Sequence, residues 1–340
     1  MVANKLDLVD IIRRSYKKCR EYLKRAGIEI EGDIRLRVLE SSGLLQELCD
    51  MIKTSDINKL KQELNTIDKS LLEKISNYDD IYIIKKENLR EFYIGEIYLL
   101  MRIYNIDDIN ILNDNILKHV VLPIKESEHV DGLSLLRAKE IYIIEDRLEK
   151  HIDEALKLSR LDSINISGPS IIKVKSPLSA VIDIPLYTKG ENIEKDIAEF
   201  YTSNVMLHEI GHHIVNKKRW DDVEFSASAL QYIMYIDMHD LLKYPETHKI
   251  IKENIIECKK YVVMFALLGY RMVIEGSLQS PLKNVVNELK IGASDELGEC
   301  YANIIIDRNK NLNIKDVVEE VKKLTPLHAI REIILYEPKR

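Results

Sequence analysis

A mainly α-helical protein with a small β-sheet, α+β in class, is the architecture this sequence predicts, and three observations predict it. Apolar residues recur at spacings of three and four along most of the chain. One stretch, 163–188, is instead rich in β-branched residues and broken by Gly168, Pro169, Pro177 and Pro185. The composition, 46% apolar and 31% charged, is that of a chain with enough Ile, Leu and Val to fold. Its 340 residues suffice for two cores, and the change of texture divides them into a helical N-terminal domain, 1–160, and a second domain, 161–340.

The elements follow in order. Leu6, Val9, Ile12 and Tyr16 open an amphipathic helix, and a further helix follows a cap at Asn88, carrying Leu89, Phe92, Tyr93 and the run from Tyr98 to Ile103. Residues 27–40 alternate over too short a span to distinguish a hairpin from the lead into a helix. Ile141, Ile144, Leu148, Ile152 and Leu156 predict a helix from about Leu135 to Leu161. Residues 163–188 are the best strand territory, with prolines suited to an edge. Asn192 caps a helix reaching about Lys218, with Glu194 in its first turn. The remaining third is again helical, with a loop at 276–281.

Charge and cysteine usage exclude several functions. With 50 Lys and Arg against 56 Asp and Glu, the net charge of −6 supplies no global field for nucleic acid or anionic lipid. Cys19, Cys49, Cys258 and Cys300 form no CxxC pair, which argues against a disulfide framework or a cysteine zinc site and for a reducing cytoplasm. The charged N-terminal residues read as a helix rather than a signal peptide. The longest apolar run, Tyr261 to Tyr270, is well short of the roughly 20 residues that span a membrane. No nucleic-acid partner and no membrane span are expected.

The chemistry-bearing motif is HExxH, His208-Glu209-Ile210-Gly211-His212, flanked by uncharged residues on a helix. Positions four apart differ by about 40° in direction and about 6 Å in height, so both imidazoles can converge on one ion. Glu209 lies about 100° round from His208, where a general base belongs. Zinc is the natural occupant, because it accepts two imidazoles and a carboxylate and keeps a fourth position for water. The implied reaction is peptide-bond hydrolysis by water that the metal activates and Glu209 deprotonates. His213 is turned away from the ligand face.

The segment VMLHEIGHHIV resembles the active-site helix of the zincin metallopeptidases. The metzincin continuation is absent, since Val215 and Lys218 stand where its glycine and third histidine would be. Gluzincins take their third ligand from a later helix, and Glu299-Cys300-Tyr301-Ala302-Asn303 matches their ExxAN form. That form is similar to the CAAX-prenyl-protease and heat-shock protease group and to the ImmA/IrrE-like group, over about residues 165–310. The resemblance implies metal ligands His208, His212 and Glu299, a catalytic Glu209, and a supporting Asn303. Glu296, Glu224 and Glu275 are rival carboxylates, and His328 is a candidate transition-state donor.

The sequence therefore predicts a zinc-dependent metallopeptidase acting on a peptide or protein substrate, which residues 179–186 could bind as an added strand. The alternative is a catalytically inactive zincin-like regulatory or protein-binding module. Glu209 favours the enzyme, because a purely structural metal site has no need of a base.

Overall fold

A computed structural model describes residues 7–28, 30, 34–54, 56–66, 81–103, 132–135, 139–161, 168–215, 220–274, 294–309 and 313–338. They are mainly helical with small sheets, as the sequence predicts at the level of class. The chain forms two compact units, one of residues 30–150 and one joining 1–29 to 151–340. This grouping assigns residues 1–29 and 151–160 to the C-terminal unit, whereas the sequence reading divides the chain at 160.

The unit of residues 30–150 holds strands β1 (Arg35–Leu39), β2 (Ile81–Ile84), β3 (Gly132–Leu135) and β4 (Glu140–Ile144), in the order β2-β1-β4-β3. Strand β1 is central and parallel to both β2 and β4, with Arg37 opposite Tyr82 and Tyr142, while β3 is antiparallel to β4. Helices α2 (Ser42–Thr54), α3 (Ile57–Thr66) and α4 (Leu89–Ile103) complete it. Asn88 does not cap α4 as predicted. Its amide donates to the Ile83 carbonyl and its oxygen accepts from the Lys85 backbone, closing a 3-10 turn over Lys86–Asn88.

Two sequence expectations are corrected here. The N-terminal region is not wholly helical, and residues 27–40 contribute a strand whose partners lie far along the chain. The helix expected from Leu135 instead starts at Glu145, as α5 (Glu145–Leu161), because Ile141 and Ile144 belong to β4. All five β4 residues are buried, so a β-branched run enclosed on both faces mimics helical spacing.

In the other unit, α1 (Leu8–Ala26) buries Leu8, Ile11, Ile12, Ser15, Tyr16, Cys19, Tyr22 and Leu23. Asp7 caps its start, and Gly27, at φ 63°, ends it in the left-handed conformation that a side chain would strain. Strands β5 (Ser170–Lys175) and β6 (Asp183–Thr188) form an antiparallel hairpin, with Pro185 inside β6 opposite Lys173. Next comes α6 (Ile193–Val215), capped by Asn192 as predicted, its side chain accepting from the Lys195 backbone at 3.0 Å. The remaining helices are α7 (Trp220–Met238), α8 (Pro245–Ile274), α9 (Ser294–Arg308), α10 (Ile314–Lys323) and α11 (Pro326–Leu335). The loop predicted at 276–281 and the end predicted for the HExxH helix near Lys218 lie outside the described residues.

Helix α6 is buried almost all round, which is why the histidine flanks carry no charge. Ser203 on α6 donates to Ser15 on α1, and Tyr22 donates to Asp237 on α7. Two glycines let α7 approach its neighbours closely. A Cβ at Gly211 of α6 would sit 3.0 Å from Ala227 Cα, and one at Gly298 of α9 would sit 2.2 Å from the Phe225 carbonyl oxygen. Both helices therefore meet α7 over the stretch 225–229, beside the HExxH motif.

The cysteine expectation is also overturned. Cys258 on α8 and Cys300 on α9 form a disulfide, because packing unites positions 42 residues apart. Linear spacing carries no trace of that approach, and cysteine usage no longer argues for a reducing compartment. Among the described residues, no helix is long and apolar enough to cross a membrane.

Candidate metal centre

Helix α6 delivers His208 and His212 one turn apart, with their Nε2 atoms 3.1 Å from each other and each residue 6% exposed. Glu224, in the second turn of α7, brings Oε2 to 3.3 Å from His208 Nε2 and 3.6 Å from His212 Nε2. Zinc bonds of 2.0–2.1 Å at tetrahedral angles imply ligand separations of about 3.3 Å, so these three atoms have the spacing of one face of a zinc tetrahedron. Among the described residues, this is the group of three whose ligand atoms could hold a metal ion.

The orientation of His208 is fixed from behind. Ser228 Oγ donates to Asp295 Oδ1 at 2.5 Å and so turns a lone pair towards His208 Nδ1, 3.4 Å away. That arrangement assigns a proton to Nδ1 and leaves Nε2 for a cation, the role that outer partners play around metal-bound imidazoles.

Electrostatics point the same way. Burial alone would depress His208, but the hydrogen bond with Glu224 and the charges of Glu209, Asp295 and Glu224 raise it to about 9. His212 goes to about 3, through burial and the adjacent His208 charge. One imidazole thus carries positive charge in an acidic surround, and a divalent cation would be favoured at the same point.

Glu299 is placed differently from Glu224. It lies on α9, fully buried, and its Oε1 accepts from Ser176 Oγ at 2.5 Å, just beyond the end of β5. Its Oε2 is buried without a hydrogen-bond partner. Burial pushes this carboxyl well above the usual carboxylate range, Ser176 opposes the shift, Asp295 and Glu296 add to it, and the His208 charge opposes it. Glu299 therefore stands within electrostatic reach of His208 while remaining outside the three-atom cluster.

Asn303 supports this turn of α9. Its amide donates to the Glu299 carbonyl at 2.8 Å, and its oxygen accepts from Tyr232 at 2.9 Å and from Asn254 at 3.1 Å. Asn254 also clasps the Asp183 backbone through both its amide and its oxygen, tying β6 to the same network.

Glu209 is 5% exposed on α6, with its charge acting on His208. His213 is half-buried, and Glu296 is half-buried near Tyr261. His328 is exposed on α11, its ring edge-on to Tyr301 at 6.3 Å. Glu275 lies outside the described residues. Ser176, Ser228 and Asp295 were not singled out from the sequence. The run Ser226-Ala227-Ser228-Ala229 was the available signal, since small residues mark close helix contact.

Comparison of the chain with protein-family models, curated proteins and solved structures finds no match.

Proposed function

We propose that this protein is a zinc-dependent peptidase of the gluzincin type. The observation that carries the reading is the convergence of His208, His212 and the Glu224 carboxylate oxygen at tetrahedral spacing, with Glu209 buried on the same helix and its charge acting on His208. His208, His212 and the Glu224 carboxylate that meets them would hold the ion, with Glu299, the ligand that the resemblance implies, as the alternative. Oε2 of Glu299 is buried without a hydrogen-bond partner, an orphaned acceptor that a nearby cation would satisfy.

When bound, zinc supplies Lewis acidity towards a peptide carbonyl and lowers the pKa of water to about 7. Glu209 takes the proton from the attacking water and passes it to the departing amine. Ser228 and Asp295 hold the His208 ring in register, Ser176 holds Glu299, and Asn303 braces its backbone. The β5–β6 hairpin, joined to α9 through Ser176 and Asn254, offers an extended edge for a substrate strand.

The test measures zinc content and peptide hydrolysis in the full chain, with and without chelator. Glu209→Gln should retain zinc and lose about 10²- to 10⁴-fold in rate. His208→Ala should lose both. Zinc-free purified protein that cannot be loaded, or a Glu209→Gln variant as active as its parent, would defeat the proposal.

A further inference from the structure

Helix α9 is gripped on two flanks. On the side of α7, Gly298 lies so close to the Phe225 carbonyl that no side chain fits, and Asp295 Oδ1 accepts from Ser228 Oγ at 2.5 Å. Ser228 Oγ in turn lies 3.4 Å from His208 Nδ1, so the first turn of α9 reaches the metal centre through one intervening hydroxyl. On the side of α8, Cys300 is bonded to Cys258, and about one turn away Asn254 donates to Asn303 at 3.1 Å. Asp295 and Cys300 stand about 140° apart round the helix and about 7.5 Å apart along it. The disulfide therefore holds α9 from the flank away from the one that addresses His208.

The contact at Asp295 is sensitive to how α9 is turned. Side-chain tips ride about 5–6 Å from a helix axis, so a rotation of about 20° carries one through about 2 Å and breaks a hydrogen bond. Cys258 and Cys300 are 1% and 0% exposed. Two thiols need more room than one disulfide, and in a close-packed interior that room comes from shifting or turning a helix.

We propose that the Cys258–Cys300 bond is an oxidative latch on the metal centre: it seats α9 so that Asp295 holds Ser228 against His208, and the dithiol form of the chain binds zinc weakly. The idea rests on the metal reading above and specifies how that site is regulated. The latch closes by thiol–disulfide exchange with a small disulfide such as oxidised glutathione. One cysteine thiolate attacks it and releases the first small thiol, and the other cysteine then displaces the second. The protein exchanges two S–H bonds for one S–S bond, and the small disulfide is reduced to two thiols. Burial of both sulfurs keeps soluble thiols from reversing the step while α8 and α9 stay packed.

The test uses full chains. Thiols are counted in denaturant first, and the oxidised parent should show two of its four cysteines free. Zinc affinity is then read by competition with a chromophoric chelator, with reductant removed beforehand under argon. The reduced parent should bind zinc roughly 10- to 100-fold more weakly than the oxidised parent, the usual cost of losing an outer partner. The Cys258→Ala/Cys300→Ala protein, which has no thiols there to capture zinc, should match the reduced form. Oxidised glutathione should restore the reduced parent and leave the alanine pair unchanged. Asp295→Asn should weaken binding equally, and combining it with the alanine pair should cost nothing more, because both act through one contact. Should the alanine pair fail to fold, the reduced and reoxidised parent decide alone. Equal affinity in the oxidised and reduced parents overturns the inference. So does a full further loss in the combined variant, or four free thiols after glutathione treatment. An oxidised parent with its bond in place and no zinc uptake defeats the metal reading instead.

Discussion

Two clusters of buried charge, one in each unit, show how structural and chemical polar sites differ. In the unit of residues 30–150, Arg37 bonds Glu140 at 2.8 Å and Glu96 at 2.9 Å, with Arg35 3.4 Å from Glu140. Tyr142 donates to Glu140 at 3.2 Å, and the Arg37 guanidinium lies over the Phe92 ring. Two arginines meet two acidic side chains, so basic and acidic groups match in number inside the group. Around His208 and His212 stand Glu209, Glu224, Asp295 and Glu299, with one imidazole pair against four acids. The first cluster pairs its acids with its own arginines. The second carries an excess of negative charge that a divalent cation would neutralise.

Breaking the balanced cluster should have the largest effect. Arg37→Met removes the charge that both carboxylates share, and an uncompensated buried ion costs about 3–5 kcal/mol. Urea unfolding should show this as a lower midpoint at unchanged slope. A loss under about 1 kcal/mol would mean that the carboxylates find water.

The acid-rich cluster should respond in the opposite sense to an added ligand. Zinc at one hundred times its dissociation constant should raise the stability of the parent by about 2.7 kcal/mol. His208→Ala should show no such gain. A calorimetric scan with and without zinc checks both, and equal gains in the two proteins would place the ion elsewhere.

A further effect concerns protons. Burial, reinforced by the Glu140 charge and opposed by Arg37, pushes Glu96 up to about 8 from an ordinary 4.5. The folded state then holds a proton that the unfolded chain releases, so this contribution is complete below pH 4.5 and is lost as pH rises through 8. Relative to Glu96→Gln, the parent should weaken steadily across that window. Parallel stability curves for the two proteins would remove the effect.

Helix α6 was the most legible part of the chain, because HExxH, its uncharged flanks and the Asn192 cap are all local signals. Glu299 and Asn303 were legible only through a spaced pattern, and the structure leaves Glu299 outside the three-atom cluster, with Asn303 bracing its backbone. Glu224 had no distinguishing sequence signal beyond the small residues that follow it. Its approach depends on the close contacts at Gly211 and Gly298, which only tertiary structure reveals. The β1-β2-β4 arrangement was hidden for a similar reason, since parallel strands pair across long separations and leave no turn signature. The Cys258–Cys300 bond was hidden in the same way.

The pairing of α1 with α6 governs the order in which the protein can be made. Ser15 meets Ser203 across 188 positions, and residues 30–150 form a body of their own within that gap. At about 5–20 residues per second, a ribosome needs roughly 10–40 s to deliver the second half of this contact. The amphipathic first helix must wait through that interval with its greasy side uncovered, while the guest unit between finishes first. Nascent chains stalled before α6 would thus be the form most dependent on chaperones.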